Sequence, residues 1–197
     1  ECTSGFRQSF GGLHTLYGVD PDMAVFGKAL GNGYAVTAVI GRRAVMEAAQ
    51  NSFISSTFWT ERIGSAAALA TLDVMEQTQS WEVITGIGVD ITQRWRELAA
   101  KPGLEISTAG LPALTGFAFK GAKAAAYKTL ISQEKLERGY LAATSVYTCL
   151  AHTPDIVDGY FYALDPIFAL IAECEAGRDV SSLLRGPICH AGFKRLN

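Results

Sequence analysis

Residues 21–41, PDMAVFGKALGNGYAVTAVIG, decide how this chain reads. Four apolar residues, Met23 to Phe26, run into Gly27 and then Lys28. The glycine-spaced Gly31-Asn32-Gly33 follows, and residues 36–40 form a second apolar run rich in β-branched side chains. The pattern predicts strand, turn, strand, with one lysine at the mouth of the turn. Both flanks favour burial and an ammonium does not. The residues alone leave two readings of Lys28 open. In one, its stem lies along apolar surface and its head reaches water. In the other, desolvation favours a free amine able to attack an aldehyde, and Gly27 lets another group approach the backbone.

Two further stretches bear on that choice. Residues 1–7 read ECTSGFR, and residues 55–64 read SSTFWTERIG. The second places hydroxyls just ahead of an alanine-rich segment, 65–77, that reads as a helix. Hydroxyls and free backbone N–H groups at a helix start suit either an anion such as phosphate or plain N-capping.

Together with DMAVFGKALGNG at 22–33, these stretches resemble, in the same order, the class III pyridoxal-phosphate-dependent aminotransferases. The glutamate-1-semialdehyde aminomutase branch is the nearest. The likeness covers most of the chain and is strongest from Glu1 to about Leu72. It implies an α/β fold: the C-terminal part of a PLP-dependent transferase of fold type I, aspartate aminotransferase-like, with a small α+β C-terminal domain. The expected division is 1–77 for the end of the large PLP-binding domain, 78–101 for a connecting helix and 102–197 for the small domain.

The resemblance also implies the chemistry. Pyridoxal 5'-phosphate is the expected cofactor, and Lys28 its Schiff-base lysine and the carrier of the proton between substrate and cofactor. Thr57, flanked by Ser56 and Phe58, is expected to bind cofactor, with Thr57 reaching the phosphate of the partner subunit's cofactor. A homodimer with shared active sites follows, acting on a small-molecule amino donor and a carbonyl acceptor. An aminomutase of the glutamate-1-semialdehyde type uses the same lysine step and stays open as an alternative. In the family an aspartate that pairs with the cofactor's pyridine nitrogen precedes the glutamate matched by Glu1. The chain therefore reads as the second half of a longer enzyme, and a non-catalytic fragment lacking the N-terminal half of the site is the other alternative. Two departures from the family pattern stand out. Trp59-Thr60-Glu61-Arg62 replace a common Ser-Gly-Asn-Pro, and Ala35 and Thr37 stand where Pro and Gly are frequent.

Composition narrows the classes further. The 197 residues are 49% hydrophobic and 18% charged with a net charge of −2, which is ordinary globular composition with room for a substantial core. Near-neutrality gives no electrostatic case for nucleic acid or an acidic membrane. No apolar run is long enough to span a bilayer, since Asp165-Pro166 interrupt the best one. The four cysteines lack C-x-x-C spacing and read as reduced thiols of a cytoplasmic protein, and no metal-ligand cluster is expected.

The remaining elements follow from period and punctuation. Arg42-Arg43 open a helix over 44–50, and their charge reads as a solvated first turn rather than a phosphate site. Ile84, Ile87, Ile91, Trp95 and Leu98 share one face of a helix over 81–101, which Pro102-Gly103 end. Strands are expected at 104–107 and 113–119, a helix at 124–138 and a β-prone run at 140–150. Thr153-Pro154-Asp155 start a helix that reaches about residue 176 and is kinked or split by Pro166. His14 has no assigned role, His152 reads as structural, and the adjacent Cys189-His190 are too close in sequence to face each other.

Overall fold

The computed structural model describes residues 1–58 and 60–190. Trp59 and the end of the tail, 191–197, both read above, lie outside the described residues. The chain divides into two compact units, Glu1–Thr85 and Gly86–Asn197.

In the first unit, β1 (Met23–Phe26) pairs antiparallel with β2 (Ala38–Gly41), with Met23 opposite Gly41 and Phe26 opposite Ala38. β1 alternates as a half-buried strand should: Ala24 and Phe26 are buried, Met23 and Val25 exposed. These two join Leu30 in a small core that Phe6, Val36, Ala38, Ala68 and Leu72 extend. The second strand starts two residues later than the sequence predicts. Val36 packs against the core instead of entering the ladder, and pairing with Met23 draws Gly41 in. Nor is the link a bare glycine turn. Residues Lys28–Leu30 form a single 3-10 turn, with Leu30 N–H donating to the Gly27 carbonyl at 3.0 Å.

The helix expected at 44–50 is one α turn, α1 (Arg43–Met46), tightening into a 3-10 turn at Glu47–Asn51. Arg42 meets no anion site. It pairs with Asp20 at 2.5 Å and Asp22 at 3.2 Å and ties the start of β1 to the end of β2. α2 (Ile63–Thr78) follows the hydroxyl-rich loop.

α3 (Ser80–Ala100) begins in the first unit and continues into the second. There, β3 (Ile106–Ala109), β4 (Leu114–Phe119) and β5 (Ser145–Tyr147) form an antiparallel sheet in the order β3-β4-β5. α4 (Ala124–Glu137) and α5 (Pro154–Glu175) complete the unit. Ile91, Trp95 and Leu98 from α3, Phe117 and Phe119 from β4, Tyr127 and Ile131 from α4, and Leu164 and Phe168 from α5 share one core. Rings meet edge to face through it: Phe117 on Phe168 at 5.7 Å and Phe119 on Tyr127 at 5.4 Å between centroids. Each such side chain contributes about 1.5–3 kcal/mol by leaving water. Gly88 lets α3 lie close to the turn before β4: a Cβ there would lie 1.8 Å from the Pro112 carbonyl oxygen.

Two expectations for this unit are corrected. The β-prone run 140–150 yields only three strand residues, because Tyr140 turns into the core and Leu141 is 98% exposed. α5 is not split at Pro166 but runs on through it. That proline and Tyr162, whose carbonyl loses its intrahelical donor, both lie on the exposed face. The helix starts as expected, with Thr153 at the N-cap in extended backbone and Pro154 next, although the threonine side chain makes no capping hydrogen bond.

Candidate active site around Lys28

The loop before β1 is built around Glu1. Its carboxylate accepts from Ser4 Oγ at 2.6 Å and from the His14 backbone N–H at 3.0 Å, and lies 2.9 Å from His14 Nδ1. Burial raises this carboxyl's pKa, but the hydrogen bonds from Ser4, His14 and the Leu13 and His14 backbone outweigh it and hold the group at about 2. His14, which sequence reasoning left without a role, is thus a buttress of the motif. The next residues are equally constrained. Phe6 has φ +61°, donates its N–H to the Gly11 carbonyl at 2.7 Å and sets its ring 5.3 Å from that of Phe26. Gly5 is held so closely that a Cβ would meet both the Glu1 carbonyl and the Phe26 ring at 2.7 Å.

Lys28 stands at the exit of β1 with φ +46°, a left-handed conformation uncommon for a residue with a Cβ. Its amine donates to Thr3 Oγ1 at 2.6 Å, so the ECTSGFR loop and the lysine come together. Thr3 is a partner that sequence reasoning missed, although a hydroxyl inside the first motif was the available signal. The dry setting expected between two apolar flanks is not found: Lys28 is exposed. The positive φ turns the residue outward while Phe26 and Leu30 take the interior, and β2 itself is largely exposed. Gly27 is extended and tightly flanked, since a Cβ on it would lie 3.1 Å from Cys2 Sγ and 3.3 Å from Thr37 Cγ2.

Ser56, Thr57 and Phe58 lie on an exposed loop. Phe58 donates its N–H to Ser56 Oγ at 3.2 Å, and Glu61 donates its N–H to the Phe58 carbonyl at 3.0 Å. These hydroxyls do not cap α2. Glu61 does, accepting from Ile63 N–H at 2.5 Å and Gly64 N–H at 3.3 Å, so the serine and threonine oxygens are not spent on the helix end. Among the described residues no hydrogen bond joins Lys28 to this loop.

Lys28 Nζ is thus an exposed amine with one hydroxyl partner and, among the described residues, no carboxylate partner. The profile of the family "Aminotransferase class-III" matches residues 3–149. The chain belongs to that family. Among curated class-III relatives, the 3-aminobutyryl-CoA aminotransferase of Cloacimonas acidaminovorans is 35% identical over 66% of this chain and 32% of its own length. The glutamate-1-semialdehyde 2,1-aminomutase of Caldivirga maquilingensis is 28% identical over 85% of this chain and 43% of its own. The fold is that of PLP-dependent transaminases. The FumI protein of Sphingopyxis sp. MTA144, solved in its PLP internal aldimine form, superposes with a TM-score of 0.81 at 23% identity, over 93% of this chain and 45% of FumI. A transaminase solved with PLP bound gives 0.78 at 21% identity, over 90% and 44%. The chain thus spans less than half the length of these relatives. No helix among the described residues is long and apolar enough to cross a membrane.

Proposed function

We propose that this class-III chain serves pyridoxal-5'-phosphate-dependent amino-group transfer between a small-molecule amino donor and a carbonyl acceptor, in a cytoplasmic homodimer. The observation that carries the proposal is Lys28 itself: an exposed amine, presented by a positive φ at the end of β1 and hydrogen-bonded to one hydroxyl. When bound, the cofactor supplies an aldehyde and an electron-withdrawing ring. Lys28 Nζ is the nucleophile toward that aldehyde. Once displaced by the incoming amine, Nζ takes a proton from the substrate carbon and returns one, acting as base and then acid. Thr3 Oγ1 holds Nζ beside the Glu1 loop and fixes the direction from which it acts. Thr57, with Ser56 and the Phe58 backbone beside it, offers hydroxyl and N–H groups to the phosphate of the partner subunit's cofactor.

An aminomutase is the second reading. The glutamate-1-semialdehyde aminomutases match 80–88% of this chain, against 56–66% for the matched aminobutyryl-CoA, neamine and aminopentol transaminases. The lysine step is common to both reactions.

The test is reduction with borohydride after incubation with pyridoxal phosphate, followed by peptide mass spectrometry. A pyridoxyl adduct on Lys28, lost in Lys28→Ala, is the expected result. An adduct spread over other lysines, or none, overturns the assignment. Loss of phosphate-dependent retention in Thr57→Ala, with the dimer intact by ultracentrifugation, tests the cross-subunit contact. Release of an oxo acid from an added amino donor separates transfer from migration within one molecule.

A further inference from the structure

The second unit carries a nucleophile of its own. Cys149 Sγ lies 3.3 Å from His152 Nδ1, and the thiol is exposed. The turn between them fixes this approach. His152 donates its N–H to the Cys149 carbonyl at 3.0 Å, and Cys149 donates its N–H to His152 Nδ1 at 3.0 Å. Because Nδ1 accepts from a backbone N–H, its lone pair faces the cysteine, and the proton of the neutral ring sits on Nε2. The base is also well anchored, since two residues on Pro154 opens the 22-residue α5.

His152 forms part of the wall of an open groove of about 260 Å³. The other walls are mostly apolar and include Leu141, Val146, Tyr147, Ile156 and Val157. A volume below the usual range for drug-sized ligands suits a single aliphatic chain. The imidazole therefore touches a nucleophilic sulfur and an apolar trough at once.

We propose that Cys149 is a covalent-modification site for medium-chain α,β-unsaturated aldehydes, with His152 assisting the thiol and the groove holding the alkyl chain. His152 Nδ1 gives up its hydrogen bond from the Cys149 backbone N–H and takes the thiol proton as sulfur attacks the β carbon. The C–S bond forms, and the C=C π pair moves onto the α carbon and carbonyl oxygen. The proton on Nδ1 is then delivered to the α carbon. The product is a thioether that keeps its aldehyde; nothing is oxidised or reduced overall, and no co-reactant is consumed.

Cys2, also exposed, is the internal reference. The full chain is treated at neutral pH with nonenal or propenal, reduced with borohydride and mapped by peptide mass spectrometry over time. Nonenal is expected to modify Cys149 about tenfold faster than Cys2, and propenal to show much less preference. His152→Gln lowers the Cys149 rate about tenfold and leaves Cys2 unchanged. Ile156→Asp, at a half-exposed position, lowers the nonenal rate but not the propenal rate. Circular dichroism checks each variant, and if His152→Gln unfolds, the chain-length comparison in the unmodified protein decides alone. Equal rates at the two cysteines, or the same chain-length ratio at both, overturn the proposal.

Discussion

The Lys135 amine lies 3.6 Å from the centroid of the Tyr160 ring and donates to the Tyr160 backbone carbonyl at 2.7 Å. A second ring, Tyr140, stands 4.4 Å away, and the lysine is fully buried. Aromatic faces and a carbonyl supply the partial negative charge that water would otherwise give this group. They do not replace its hydration fully. Burial first, and the Arg138 charge second, push its pKa down to about 7.

Stability should therefore rise with pH. An unfolded lysine titrates at 10.5 and the folded one near 7. Between those values the unfolded chain binds the extra proton, so folding is favoured increasingly as pH climbs from 7 toward 10.5, by at most about 1.4 kcal/mol per pH unit. Below pH 7, where the folded lysine is also protonated, the cost of burying the charge is present in full. Urea midpoints at pH 7 and pH 9 measure this, and Lys135→Met should flatten the difference. An equally steep rise in that variant would assign the effect to other groups.

Tyr160 serves a second partner. Its hydroxyl accepts from the Trp95 indole N–H at 3.0 Å inside the core. Tyr160→Phe keeps the ring and strands that N–H, at a cost of about 1–3 kcal/mol. The thermal midpoint should fall accordingly, and an unchanged midpoint would mean that the indole finds another acceptor.

Two glycines on α3 should respond oppositely to alanine. Gly86 is exposed with nothing near its absent Cβ, so Gly86→Ala should stabilise by about 0.5–1 kcal/mol through helix propensity. Gly88→Ala drives a methyl into the Pro112 carbonyl and should destabilise by at least about 1–3 kcal/mol. Chemical denaturation of the pair, run side by side, checks the sign of each.

Glu61→Ala should loosen the first turn of α2. The carboxylate accepts from Ile63 and Gly64 N–H groups, and its loss should cost about 1 kcal/mol. Hydrogen exchange at those two amides should quicken while the middle of the helix keeps its protection. No change at either amide would remove Glu61 as the cap.

What the sequence disclosed follows its physics. α3 announces itself by period, because a helix with one buried face must repeat its apolar residues at that face; β1 is read from its apolar run and α5 from the Thr153-Pro154-Asp155 start. The lysine turn was legible through its glycines and its family likeness. Side chains placed against type were not legible. Lys135 reads as a surface residue of α4, yet it continues the four-residue spacing of Tyr127 and Ile131, both buried. That spacing was the available sign. Val36 looked like a strand residue because β-branching does not distinguish a ladder from a core contact. Apolar neighbours left the exposure of Lys28 open, and the positive φ that accompanies its outward position is not written in them. Cys149 and His152 face each other through a turn whose hydrogen bonds no residue pattern records.

The approach of Gly88 to Pro112 has an evolutionary corollary. A side chain at position 88 is tolerable only if the turn preceding β4 is re-routed, and that turn gains nothing from moving while position 88 is bare. The dependence runs one way: because the contact is with backbone, residue 112 is free to change its side chain, whereas a lineage with a side chain at 88 should also carry a re-routed turn, and a helix bearing that side chain should fail when grafted beside the unaltered turn.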